Sequence, residues 1–272
     1  MKLKIFISCL ILSAGIIACK TNSITGRNQL SLVSEQAVQS MAKTEYRQFL
    51  TQNRVLSSTN SKDAEMVRRV GARISAAVTK YYSEQGLSSE LEGYQWEYNL
   101  VDDKSVNAWC MPGGKIVVYT GLLPVTQNEA ALAVVVGHEV AHALAHHGSE
   151  RMSQGLVQQL GGVALSVALA NKPAETQNLF LNAYGIGSQV GFALPHSRKQ
   201  ELEADKFGLR FVALSGYNAR EAIPLWNRMK QMGGGQRPPE FLSTHPPEEK
   251  RIAELSKIMD ETIKKYYRPI GK

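Results

Sequence analysis

Apolar positions recur at helical spacing over about residues 34–52 and 62–85, the second run carrying Val67, Val70, Ile74 and Val78. Tyr94, Trp96, Tyr98 and Leu100 then alternate with polar residues, the period of a half-buried strand. Residues 105–111 and 115–120 flank Pro112-Gly113-Gly114, which predicts a hairpin. Asn128 is placed to cap a long helix that runs to His147 and stops at Gly148. A further helix is predicted over about 150–170, while 171–195 gives no single pattern, with Gly185, Gly187 and Gly191 among apolar residues. Helix returns at about 198–214 and again over 220–232; Gly233-Gly234-Gly235 breaks the chain, and a last helix begins near Pro246. No repeat of fixed period runs through the chain. A mainly helical chain with a small sheet is an α+β layout.

The first apolar run, residues 5–17, follows Lys2 and Lys4 and is shorter than the ~20 residues a membrane span takes, so it suits the core of a signal peptide. Its ending, Ile16-Ile17-Ala18-Cys19, resembles a bacterial lipobox, which makes 1–18 a signal peptide and Cys19 the lipidated residue. The polar stretch 19–33, with Thr25-Gly26-Arg27-Asn28, reads as the tether of that anchor, and 34–272 as one domain. Residues 156–170 are apolar but contain Gln158, Gln159 and two glycines, and are too short to span.

Composition excludes more than it selects. With 272 residues, 43% apolar and 20% charged, the chain has enough mass for a substantial core and is neither disordered nor multi-spanning. Loss of the first segment takes the formal charge from +7 to +5. Without a basic run or an arginine–aromatic stripe, that excess is a solvated surface and no nucleic-acid partner is expected. Cys9 would leave with the signal and Cys19 would carry lipid, so Cys110 stands alone and the fold does without a disulfide. Cys110 reads as an apolar filler.

The sequence His138-Glu139-Val140-Ala141-His142 carries chemistry. Four residues on an α-helix turn through about 400°, so two imidazoles stand one turn apart on one face and can grip a single Zn²⁺ at about 2.0–2.1 Å. Glu139 lies beside them, placed to take a proton from water without ligating. A catalytic zinc takes a third protein ligand. The long motif with a further histidine on the same helix fails, because Ala145 and Gly148 stand where glycine and histidine are required. His146 and His147 are accordingly expected to face solvent or to support a ligand. The alternative is a carboxylate on the helix that starts near Ser197: Glu201 and Asp205 share a face, one to ligate and one to orient a histidine, while Glu203 is rotated about 200° and points elsewhere.

These residues together resemble the gluzincin metallopeptidase family that includes HtpX, LoiP and BepA. Besides the two metal motifs, the resemblance rests on residues 25–32, on Asn107-Ala108, Pro112-Gly113-Gly114 and Gly121-Leu122-Leu123, and on Thr244-His245-Pro246-Pro247 with Arg251. It implies His138, His142 and Glu201 as ligands of one zinc per chain, Glu139 as general base and Asp205 in support. It also implies that His245 lies within reach of the metal, either as an inhibitory fourth ligand on a mobile loop or as a donor to the reacting carbonyl. Substrate would bind extended along the hairpin edge at Asn107 and Ala108, and 171–195 would form a lid. The function implied is zinc-dependent endopeptidase cleavage of unfolded or misassembled envelope proteins, with the chain lipid-anchored at a bacterial outer membrane facing the periplasm. A zinc-bearing chaperone for outer-membrane clients has the same ligands but no use for Glu139.

Overall fold

In the computed structural model the described residues are 19–161, 163, 165–186, 197–233, 239–246 and 248–269. The expected signal peptide, the later part of the expected lid (187–195) and two of the three glycines after residue 232 lie outside them. The stretch expected as a tether is folded down instead. β1 (Cys19–Thr21) pairs antiparallel with β2 (Asn28–Leu30), and Cys19 is exposed at the outer end. Its polar side chains are spent on the body of the protein: the Asn22 amide donates to the Leu144 carbonyl and the Gln29 amide to that of Ala145. Polar composition reads as solvated in sequence, but here it satisfies carbonyls left over at a helix end.

α1 (Glu35–Gln52) and α2 (Lys62–Glu84) lie where the apolar spacing puts them, each capped by a serine side chain, Ser34 and Ser61. Between and after them come β3 (Val55–Leu56), β4 (Glu97–Val101), β5 (Ala108–Met111) and β6 (Lys115–Tyr119), in spatial order β3-β4-β6-β5. β5 and β6 form the predicted antiparallel hairpin, β4 joins β6 in parallel, and β5 is the outer strand. Successive strand residues face opposite sides. Ala108, Cys110, Ile116 and Val118 therefore enter a core with α2 and the helices beyond, while Trp109, Met111, Val117 and Tyr119 join Val38, Ala42 and Tyr46 of α1 on the other side.

A short α3 (Leu123–Thr126) leads to α4 (Glu129–Leu144), capped by Asn128 and buried from Ala131 to its end. α4 stops before the expected His147. His146 takes the left-handed conformation (φ 54°) and a new helix, α5 (His147–Leu160), starts at once. Gly148 is no stop signal; a Cβ there would stand 2.1 Å from the Tyr184 ring, so the glycine admits that ring. The predicted helix over 150–170 is broken by Gly161 (φ 68°), separating α5 from α6 (Leu165–Asn171). α7 (Pro173–Ala183) supplies order where the sequence showed no single pattern.

α8 (Arg198–Leu214) opens on a capping box between Ser197 and Gln200 and crosses α4 at two glycines. A Cβ on Gly208 would lie 2.9 Å from the His138 Cα, and one on Gly137 would lie 3.0 Å from the Gly208 carbonyl oxygen. Only that close approach lets the short carboxylates of α8 reach the imidazoles of α4. α9 (Ala222–Met232), α10 (Glu240–Thr244) and α11 (Glu249–Tyr266) close the chain over the same face. The α+β expectation is borne out by this mainly helical architecture with small sheets. Among the described residues no helix is long and apolar enough to cross a membrane.

Candidate metal centre

His138 and His142 project from α4, Glu201 from the first turn of α8 and His245 from the end of α10, and all four are buried. One donor atom from each lies within 4.8 Å of the others. His138 Nε2 is 3.0 Å from His142 Nε2, 3.3 Å from His245 Nδ1 and 3.5 Å from Glu201 Oε2. Glu201 Oε1 is 3.2 Å from His142 Nε2 and 2.9 Å from His245 Nδ1. A tetrahedral ion with ligand bonds of about 2.0–2.1 Å separates its ligand atoms by about 3.3 Å. The protein already holds its donors at that spacing, with nitrogen and carboxylate chemistry suited to zinc, so the residues present fit one such ion.

Inside the cluster buried carboxylates and cationic groups hold one another charged. Burial opposes charge on His138, but hydrogen bonds to Asp205 and Glu201 outweigh it and raise its pKa to about 9. Burial would raise the Glu201 and Asp205 carboxyls too, yet Arg251 holds both below the ordinary range, aided by His245 at Glu201 and by His138 at Asp205. Arg251 is itself buried, donates to both Asp205 oxygens at 2.8 Å, stands 2.7 Å from Glu201 Oε2 and lies 4.2 Å over the Trp226 ring. Asp205 Oδ1 reaches His138 Nδ1 at 3.1 Å. Glu139 stands apart from the donors: burial raises its pKa, and its Oε1 has no hydrogen-bond partner among the described residues, with His245 Nε2 3.5 Å away.

Glu139, His142 and His245 line a small cavity of about 20 Å³ together with Asn107, Ala108, Cys110, Arg151, Tyr184 and Gly185. Asn107 and Ala108 thus meet the metal donors at the start of the outer strand β5, and Asn107 Nδ2 has no partner among the described residues. Burial pushes the Cys110 thiol up, which suits an apolar filler and not a nucleophile. Tyr184 and Gly185 are the described part of the expected lid that reaches the site. His147 is buried, 2.8 Å from His142 Nδ1, so it stands behind a donor and not in the solvent. His146 lies 3.0 Å from Glu35. Glu203 does turn away from the donors, as its rotation predicts, but its carboxylate accepts from His147 and Arg27. Sequence reasoning missed those contacts and the part played by Arg251.

The family model for "Peptidase family M48" matches residues 69–259, which hold both metal motifs and the strands β4, β5 and β6. The chain belongs to peptidase family M48. Mitochondrial metalloendopeptidase OMA1 of Arabidopsis thaliana is 37% identical over 181 residues, 66% of this chain and 35% of that protein. Human metalloendopeptidase OMA1, mitochondrial, is 29% identical over 254 residues, 90% of this chain and 47% of its own length. The beta-barrel assembly-enhancing protease of Escherichia coli is 29% identical over 167 residues, 58% of this chain and 33% of its length. The chain thus spans between a third and a half of these relatives. The metallopeptidase expectation, with a donor set for one zinc, is borne out at the level of the family. The finer placing beside HtpX, LoiP and BepA is not carried by these matches. The bacterial outer-membrane location is overturned: the relatives that match up to 90% of this chain are mitochondrial.

Proposed function

We propose that this M48 chain is a zinc metalloendopeptidase that cuts within extended, unfolded polypeptide, with His138, His142 and Glu201 holding the metal. The near-tetrahedral spacing of the donors beside a buried, unligated carboxylate carries this reading. Zinc bound there would supply Lewis acidity, polarising the scissile carbonyl and acidifying water. Glu139 takes the proton from the attacking water and passes it to the leaving amine; the raised pKa that burial gives it brings its proton affinity closer to neutrality, where a base that must also serve as an acid works best. Asp205 fixes the His138 ring through Nδ1, and Arg251 keeps Asp205 ionised for that task. The substrate backbone adds to the outer edge of β5 at Asn107 and Ala108, a backbone-led mode with loose sequence preference, which favours unfolded chains of any sequence.

Ligand assignment has a direct test. Glu201→Ala should lose zinc or bind it at least 10–100-fold more weakly, read by chelator competition. A variant that keeps wild-type zinc affinity would remove Glu201 from the ligand set.

His245 we assign to blocking. Its Nδ1 stands at the fourth corner of the donor set, and the cavity beside it is too small for a peptide, so α10 must shift before substrate enters. His245→Ala should therefore raise kcat/KM on casein, by about tenfold if the closed arrangement is favoured by about 1.4 kcal/mol. A fall of about 10² or more would assign it the donor role instead.

A further inference from the structure

The first hairpin and the metal donors are joined by a line of hydrogen bonds whose proton positions follow from one constraint. His142 turns Nε2 toward Glu201 and His138, so Nε2 must be free of hydrogen to hold a metal and Nδ1 must carry the ring proton. That Nδ1–H points at His147 Nδ1, 2.8 Å away, which must then accept. His147 is left protonated at Nε2, which donates to Glu203 Oε2 at 3.0 Å. Glu203 also accepts the Arg27 Nε–H, at 2.9 Å to Oε1 and 3.1 Å to Oε2. The other end of the guanidinium grips Glu150, Nη1 to Oε1 and Nη2 to Oε2, both at 2.7 Å, and Glu150 accepts from Gln200 as well. Arg27 sits in the turn between β1 and β2, and its side chain is 13% exposed.

We propose that Arg27 is a positioning residue for the metal, acting through Glu203 and His147 on His142, so that docking of the first hairpin sets how tightly the site holds zinc. A carboxylate behind a ligating imidazole fixes its tautomer and strengthens it as a ligand. Here the carboxylate acts through a second imidazole, and Arg27 fixes where that carboxylate stands. Both grips require the planar fork of arginine, since a lysine ammonium cannot address two carboxylates in fixed directions. The same hairpin covers the end of the ligand helix, where Asn22 and Gln29 donate to the Leu144 and Ala145 carbonyls. Displacing or cutting the hairpin would loosen the zinc site without touching a ligand. This inference rests on His142 being a zinc ligand.

The test uses the full chain loaded with Zn²⁺ and, separately, with Co²⁺. Arg27→Gln and Glu203→Gln should each weaken zinc by 10–100-fold in chelator competition, and the double variant should be no weaker than the worse single one. The visible absorption of the Co²⁺ forms should change with both. Arg27→Lys should recover only part of the affinity. Asn22→Ala, which removes one docking contact but keeps Arg27, Glu203 and His147 in place, should lower the melting temperature and weaken zinc far less than Arg27→Gln does. Wild-type affinity in both Gln variants would overturn the proposal while leaving the peptidase reading intact; a wild-type chain that binds no zinc would overturn both. Should Arg27→Gln not fold, ¹⁵N histidine spectra of the zinc-loaded wild type decide. They should show the proton of His142 on Nδ1 and that of His147 on Nε2, and the opposite pattern at His147 would refute the line.

Discussion

Glu139→Gln should yield a folded protein with its zinc in place and a hydrolysis rate lower by about 10²–10⁴, the range that a positioned general base supplies. The substitution conserves volume in a buried position and removes the group that can hold a proton. It removes no donor: among the four that gather within 4.8 Å, Glu139 is absent. The carboxylate is costly to the fold, because it is buried with one oxygen unsatisfied among the described residues. A neutral amide there should leave the melting temperature at or above that of the wild type, the pattern expected where activity is maintained against stability. Metal analysis, thermal melting and casein cleavage on the same preparation read all three outcomes. Proteolysis persisting at the wild-type rate would remove Glu139 as base, and with it the mechanism proposed above. A zinc-bearing binding protein would show no activity to lose.

How legible this site was in the sequence depended on how local each relation is. The pentad from His138 to His142 and the pair Glu201 and Asp205 sit one helical turn apart, so spacing alone puts each set on one face. Helices 35–52, 62–84 and 198–214 fall within a residue or so of their apolar periodicity. The end of the ligand helix was misplaced because Gly148 looks like a stop, whereas the glycine serves Tyr184 and His146 makes the turn. The first hairpin was misread because its strands are three residues long and polar, leaving too little alternation to register. What supports the donors was hidden by distance along the chain. Arg27 meets Glu150 across 123 positions and Glu203 across 176, and Arg251 meets Asp205 across 46. No periodicity reports such pairs. The adjacent histidines His146 and His147 gave the one local hint, since only a helix restart sends one toward Glu35 and the other behind His142.

Arg251→Met should have the largest effect on the metal-free fold, a loss of about 3–5 kcal/mol, or roughly 6–20 °C in melting temperature for a domain of this size. Methionine keeps much of the volume against Trp226, where the guanidinium now lies at 4.2 Å, so the loss reports charge and hydrogen bonding more than packing. Without Arg251 two buried carboxylates, Glu201 and Asp205, lose the cation that holds them ionised. Zinc would return a cation to Glu201 but leave Asp205 with only the His138 ring as partner. Zinc should therefore restore part of the lost stability and no more, and the gap in melting temperature between zinc-loaded and chelated protein should be wider in the variant than in the wild type. Melting curves with and without chelator separate these effects. If the chelated variant melts with the chelated wild type, Arg251 is not the counter-charge of the site, and the acidic pair must be neutralised by protonation instead.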